Sequence, residues 1–371
     1  MSYKFSVEGV NRLGVRASKT TVGGIQTEFP QRIETNTDRY YLDRLPDDIS
    51  LPTPPSDIFM VKRSYTQEQL IKLVASESYY NSEKKKIEGI RTKRQNCISV
   101  FNLSVGKNTK ISDRANLRLL GLQVGFSVQR IFDSYDLTPN ELLERIKVSV
   151  KYIREHGINE HSDALTVSTI LQQLPTVFHE KYQIIMKETD GSAVKYTTPY
   201  SVRRQLRIIE QFVEGDKWQD LYDVPKTWGG NSRTSMMHIM AKYGFDTFSL
   251  RTGKRPKNLT RKPILKRFDE NSLGYLIMPH EHERRYNDNL MCSCYVCRGQ
   301  TLADFRDNYT PDEQSKVYRG HEPYASNMEF AMDRTLALES GNELLNRYKR
   351  KEFARQPFKE VLGIDFANAR L

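Results

Sequence analysis

The chain has 371 residues and a net charge of +11, from 57 basic and 46 acidic side chains, with 38% apolar and 10% aromatic content. That length exceeds the ~100–200 residues of an ordinary domain, so two domains or one large α/β barrel would fit, and the apolar content excludes a disordered chain. No run of ~18 apolar residues occurs and the first residues lack a signal-peptide core, so a soluble cytoplasmic chain with no membrane partner is expected.

The basic balance favours a polyanion, nucleic acid before a membrane surface. The plain alternative is a soluble protein that is merely basic.

In chain order, residues 3–30 read as β-structure with turns, with Phe5, Val7 and Val10 followed by Gly23-Gly24-Ile25. Residues 42–57 are rich in Pro and Asp and predict an exposed loop. Ile58-Phe59-Met60-Val61 predicts a short buried strand, and Thr66 an N-cap for the helix that follows. That helix runs into Lys84-Lys85-Lys86, read as a solvated face. Ile98–Val105 predicts a second strand and Leu119–Ile131 a third. Thr138 and Glu141 have capping-box spacing and open a further helix. Leu165–Leu174 and Gln183-Ile-Ile-Met are strand candidates. Ser201–Val213 and Ser232–Tyr243 predict helices, and Gly244 stops the second of these before a strand. Strands alternating with helices predict an α/β fold with a largely parallel sheet.

Four cysteines are present, Cys97 alone and three packed into Cys292-Ser-Cys294-Tyr-Val-Cys297. Cys97, in Asn-Cys-Ile-Ser-Val-Phe, is expected in a buried strand. The cluster has the spacing of zinc ligands in a reducing compartment, since such turns place thiolate sulfurs ~2.3 Å from one tetrahedral ion. The fourth ligand is expected to be His321, in Arg319-Gly-His-Glu; His280 and His282 are the rivals. Three thiolates and one imidazole leave no open position, so the expected Zn2+ is structural.

The same residues resemble the tRNA-guanine transglycosylase superfamily, which exchanges guanine for a 7-deazaguanine base in nucleic acid. Cys292, Cys294, Cys297 and His321 match its zinc motif, and Asn327-Met-Glu-Phe-Ala-Met is similar to the helix after the histidine. Trp228-Gly-Gly-Asn-Ser-Arg-Thr through Gly244-Phe-Asp246-Thr-Phe248 looks like the family's glycine turn, helix and last barrel strand. Phe5-Ser-Val and Gly24-Ile-Gln-Thr-Glu-Phe-Pro loosely resemble its opening hairpin. The resemblance implies a (β/α)8 TIM-like barrel over residues 1–285, with an N-terminal hairpin. A zinc-binding subdomain and C-terminal helices would then occupy residues 286–371.

Two departures stand out. The family's strand reads Gly-Val-Asp-x-Phe-Asp, with the second Asp as nucleophile, and here that position is Ser249. The family's Asp-Ser-Gly-Gly-Phe loop has only Ile131-Phe-Asp133-Ser134-Tyr as its nearest fragment. The chain therefore looks like a divergent branch, closest to the DNA-acting enzymes.

Base exchange needs a carboxylate that attacks C1′ and a second carboxyl group that moves the proton on the departing and arriving bases. On a barrel both belong near strand carboxyl ends. Asp246 is the expected nucleophile; the bland reading is a strand-end Asp that caps or pairs with Arg251. Asp133 is the expected acid/base, with Asp113 as rival and a turn residue before Asp136 as the bland reading. Phe245, Phe248 and Tyr135 could sandwich a flipped base, or simply be core.

Residues 251–267 contain eight Lys or Arg and no acid. Arg251, Lys254, Arg255, Lys257, Arg261 and Lys262 are expected phosphate contacts, the alternative being a solvated loop. Arg203, Arg204 and Arg207 form a weaker patch. The expected partners are DNA, with tRNA as alternative, and a 7-deazaguanine base. A homodimer or partner proteins complete that expectation. Two other functions stay open: the same exchange on tRNA, or a non-catalytic zinc-bearing subunit that binds nucleic acid.

Overall fold

The structure is a computed structural model that describes residues 3–10, 16–36, 38–39, 56–105, 109–134, 136–156, 165–170, 175–195, 225–229, 244–248, 266–269 and 274–277. It also describes single positions between 299 and 327.

The chain opens with three antiparallel strands, β1 (Lys4–Val10), β2 (Arg16–Val22) and β3 (Ile25–Phe29), in the order β1-β2-β3. Gly23 and Gly24 connect β2 to β3 at φ +58° and +83°. Two consecutive positive φ angles make a tight hairpin turn that suits the twist of the strands and favours glycine.

The remaining strands run in parallel. β4 (Gln31–Arg32) and β5 (Glu34–Thr35) are one stretch of chain interrupted at Ile33. β5 pairs with β6 (Ile58–Tyr65), and β6 with β7 (Ile98–Val105) in unbroken register from Ile58↔Ile98 to Tyr65↔Val105. A parallel bridge, Val100↔Val128, leads from β7 to the residue before β8 (Gln129–Phe132). Then come β9 (Leu165–Ile170), β10 (Gly191–Lys195), β11 (Lys226–Trp228) and β12 (Thr247–Phe248), each parallel to the one before. β12 pairs in parallel with β4, so the circuit of pairings returns to its first member. A separate antiparallel pair, β13 (Lys266–Asp269) and β14 (Gly274–Ile277), lies further along.

Helices fill the connections. α1 (Gln67–Ala75) and α2 (Glu77–Arg91) join β6 to β7; α3 (Asp113–Gly121) joins β7 to β8; α4 (Pro139–Glu155) joins β8 to β9; α5 (Pro175–Glu188) joins β9 to β10. Thr66 and Thr138 each close a full capping box, with Gln69 and Glu141 respectively. Such a cap is worth about 1 kcal/mol.

Period-two alternation divides the strand residues between two cores. Phe59, Val61, Phe101 and Leu103 pack outward against Leu70 and Leu73 of α1, Ile87 of α2 and Leu119 of α3. Ile58, Met60, Ile98, Val100 and Val128 face the other way and meet Val22 and Phe29 of the antiparallel sheet. Each of these buried side chains contributes roughly 1.5–3 kcal/mol. The antiparallel sheet thus covers the amino ends of the parallel strands.

One predicted strand, Leu119–Ile131, is helical at its start and a strand only from Gln129, and a second proves to be helical. Leu119–Leu122 belongs to the end and C-cap of α3, whose Ser112 N-cap binds the Ala115 amide and whose Ala115, Asn116, Leu119 and Leu120 are buried. That spacing follows 3.6 residues per turn rather than two. Likewise Gln183-Ile-Ile-Met lies in α5, where Lys181, Tyr182, Ile185 and Met186 form the buried face. In both cases a dense apolar run hid the helical period. The expected helices at 201–213 and 232–243 lie outside the described residues.

Candidate functional site

The two expected catalytic acids stand at opposite ends of the parallel strands. Asp133 follows the last residue of β8, at its carboxyl end. Asp246 precedes the first residue of β12, at its amino end. Because every pairing from β8 to β12 is parallel, the structure does not bring these carboxylates together.

Asp246 is fully engaged beneath the ring. Arg16 of β2 donates to it from Nε at 2.8 Å and Nη2 at 2.5 Å, Ser18 Oγ at 2.7 Å and the Lys226 amide at 2.7 Å. Both charged side chains are wholly buried. Its backbone is held as well, since its amide donates to the Lys226 carbonyl and its carbonyl accepts from the Gln31 amide. Burial first, and Arg16 second, push the neighbouring Lys226 ammonium well below its ordinary value, with Asp246 pulling it back. Four donors occupy a carboxylate that has about four acceptor positions, which leaves little to offer a sugar carbon. The arrangement ties the N-terminal sheet to the ring. The amino end of such strands is where residues serve stability. The geometry makes Asp246 the buried partner of Arg16.

Asp133 lies at the carboxyl end of the parallel strands, the side on which open α/β sheets gather their ligands. It is 2% exposed, and Lys181 of α5, also buried, donates to its Oδ1 at 3.0 Å and to the Ser134 carbonyl at 3.3 Å. Ser134 in turn donates to Asp136 at 2.6 Å. The rival Asp113 is largely exposed at the start of α3 and accepts from Arg145 at 2.9 Å. Arg145 also binds the carbonyls of Phe132 and Ile111, which fixes the turn that carries Asp133.

Phe245 and Phe248 are buried core, 3% and 0% exposed. Tyr135 lies outside the described residues. So do Arg251, Lys254, Arg255, Lys257, Arg261 and Lys262, the patch at Arg203, Arg204 and Arg207, and all four zinc candidates, Cys292, Cys294, Cys297 and His321. Among the described residues, no group of three or more His, Cys, Asp or Glu could hold a metal. Cys97 is buried just ahead of β7, its Sγ 3.6 Å from the Arg94 carbonyl, and burial pushes the thiol up to about 11.

Asn327 does fall among the described positions. Its side chain bonds both backbone groups of Arg32, accepting from the amide at 2.6 Å and donating to the carbonyl at 3.2 Å. Asn327 is thereby fixed against β4.

Lys181 and Arg16 gave no signal in the sequence, since each meets its acid across a long chain separation. Arg130 did. It stands in Phe126-Ser-Val-Gln-Arg-Ile-Phe132, where strand alternation places it beside Val128, so a charge was legible on an apolar face.

No family model matches the chain, and no curated protein matches it. Among the described residues, no helix is long and apolar enough to cross a membrane.

Proposed function

We propose that the chain exchanges guanine for a 7-deazaguanine base in DNA, from the carboxyl end of a (β/α)8 barrel. The circuit of eight parallel segments supports the barrel reading. The observation that carries the functional reading is Asp133, an acid held by Lys181 at the carboxyl end of β8. In this reading a carboxylate attacks C1′, the C1′–N bond to guanine breaks, and the incoming base later displaces the carboxylate from C1′. Asp133 moves the proton on the departing and arriving bases. With Asp246 at the other end and Ser249 unsuited to this attack, the nucleophile belongs to another strand end.

Three thiolates and one imidazole form a donor set that fills a tetrahedral zinc, so Cys292, Cys294, Cys297 and His321 would hold a structural ion. Arg251, Lys254, Arg255, Lys257, Arg261 and Lys262 would meet the phosphates. The position of Asp246 favours one alternative, a zinc-bearing subunit that binds nucleic acid without catalysis, because it removes one of the two expected carboxylates from the working end.

The test offers labelled guanine or a 7-deazaguanine base to the protein with DNA or tRNA. Exchange on DNA that slows about 10²–10⁴-fold in Asp133→Asn would support the reading. Exchange at the wild-type rate by Asp133→Asn would remove Asp133 from the chemistry. Nucleic-acid binding with no exchange on either substrate would leave the binding subunit.

A further inference from the structure

We propose that the face of the ring turned away from the helices holds a site for one small monovalent inorganic anion of the halide class, centred on Arg130. Arg130 follows Val128 by two positions and so shares its face, away from the helices. It is 2% exposed. Gln123 fixes its backbone, accepting from the amide at 2.6 Å and donating to the carbonyl at 2.9 Å.

The side chain reaches across to β7, where Nη1 donates to Asn102 Oδ1 at 3.1 Å. Its Nε has no partner, and among the described residues no carboxylate pairs with it. The other fully buried arginines are answered: Arg16 by Asp246 at 2.5 Å, Arg32 by Asp38 at 2.9 Å and Arg145 by Asp113 at 2.9 Å. Burial alone pushes the Arg130 guanidinium down to about 10. A buried charge facing one neutral amide is costly, and proteins usually supply a counter-charge.

Arg130 lines a cavity of about 60 Å³ with Ile33, Ile98, Val100, Thr227 and Thr247. A space of this size admits one halide ion with a water. Thr227 and Thr247 share a single hydrogen bond of 2.7 Å, which leaves one hydroxyl proton to donate. Asp190 also lines the cavity, on the side of the N-terminal sheet, and makes no ion pair with Arg130.

The experiment compares thermal melting of the full chain in chloride and in gluconate at equal ionic strength, for wild type and Arg130→Met. Gluconate is too bulky for the cavity. Wild type should melt higher in chloride, by about 3–4 °C when chloride is ~100 times Kd. Arg130→Met should show no such difference, and in gluconate it should melt at or above wild type, because the unanswered charge is gone. A ³⁵Cl NMR measurement on wild type alone guards against a variant that fails to fold. Bound chloride should broaden the line, and bromide should narrow it by competition. Equal melting in the two salts, a chloride response retained by Arg130→Met, or an unbroadened line would each overturn the proposal. None of these outcomes depends on base exchange.

Discussion

Replacing Asp246 with asparagine keeps the shape of the side chain and removes its charge. Arg16, wholly buried, would then face no carboxylate. Breaking one side of a buried ion pair costs about 3–5 kcal/mol. The amide also replaces one acceptor by a donor. On the Oδ2 side it would meet Arg16 Nη2 and the Lys226 amide, both donors; on the Oδ1 side it would meet Arg16 Nε and Ser18, of which only the hydroxyl can turn round. Asp246→Asn should therefore lower Tm by roughly 4–6 °C, taking ~1.3 °C per kcal/mol for a chain of this length at ~2.1 cal/mol/K of unfolding entropy per residue. Urea unfolding of wild type, Asp246→Asn, Arg16→Met and the double variant forms a cycle in which the double variant loses much less than the sum of the singles. A variant that melted like wild type while losing all base exchange would refute the stability role and return Asp246 to the chemistry.

Glu83 offers a test on the outer core. Burial draws its carboxyl upward, but hydrogen bonds from Arg63, Lys86 and Tyr65 outweigh this and hold it below the ordinary range. A folded pKa below the unfolded one adds stability above the unfolded value near ~4.3, and that stability is lost as pH falls through the folded value. Glu83→Gln should thus cost stability at pH 7 and lose little more on acidification. Denaturation midpoints from pH 7 down to pH 3 that fall in parallel for both proteins would contradict this. For the zinc motif, metal analysis should find about one zinc per chain, and Cys294→Ser or His321→Ala should release it and destabilise the protein, because metal binding is coupled to folding. A well-folded metal-free protein, or stoichiometric iron, would count against that assignment.

Local signals in the sequence carried far. The N-cap at Thr66, the capping box at Thr138, the Gly23-Gly24 turn and the strand at Ile98 follow from short-range chemistry and appear as expected. The helices α3 and α5 were obscured because their apolar residues stand so close together that either period fits. The pairing of Asp246 was hidden for a different reason. In Gly244-Phe-Asp-Thr-Phe the acid comes ahead of the strand, but where a two-residue strand begins depends on its neighbours. The arginine that claims this acid lies 230 positions away. Asp133 could be placed near a strand end from the sequence, whereas its lysine arrives from a helix that had been read as a strand.

The closure of the ring sets a schedule for synthesis. β4 emerges early, yet one of its neighbours, β12, is made more than 200 residues later, and Asn327 reaches Arg32 across 295 positions. At roughly 5–20 residues per second, the ribosome needs about 15–60 s to span that interval. Until then the backbone donors and acceptors of β4 remain an open strand edge, able to pair with another chain. Slowing translation between residues 32 and 327 would lengthen this exposure, so the soluble yield of the protein should depend on elongation rate even when its finished stability is unchanged.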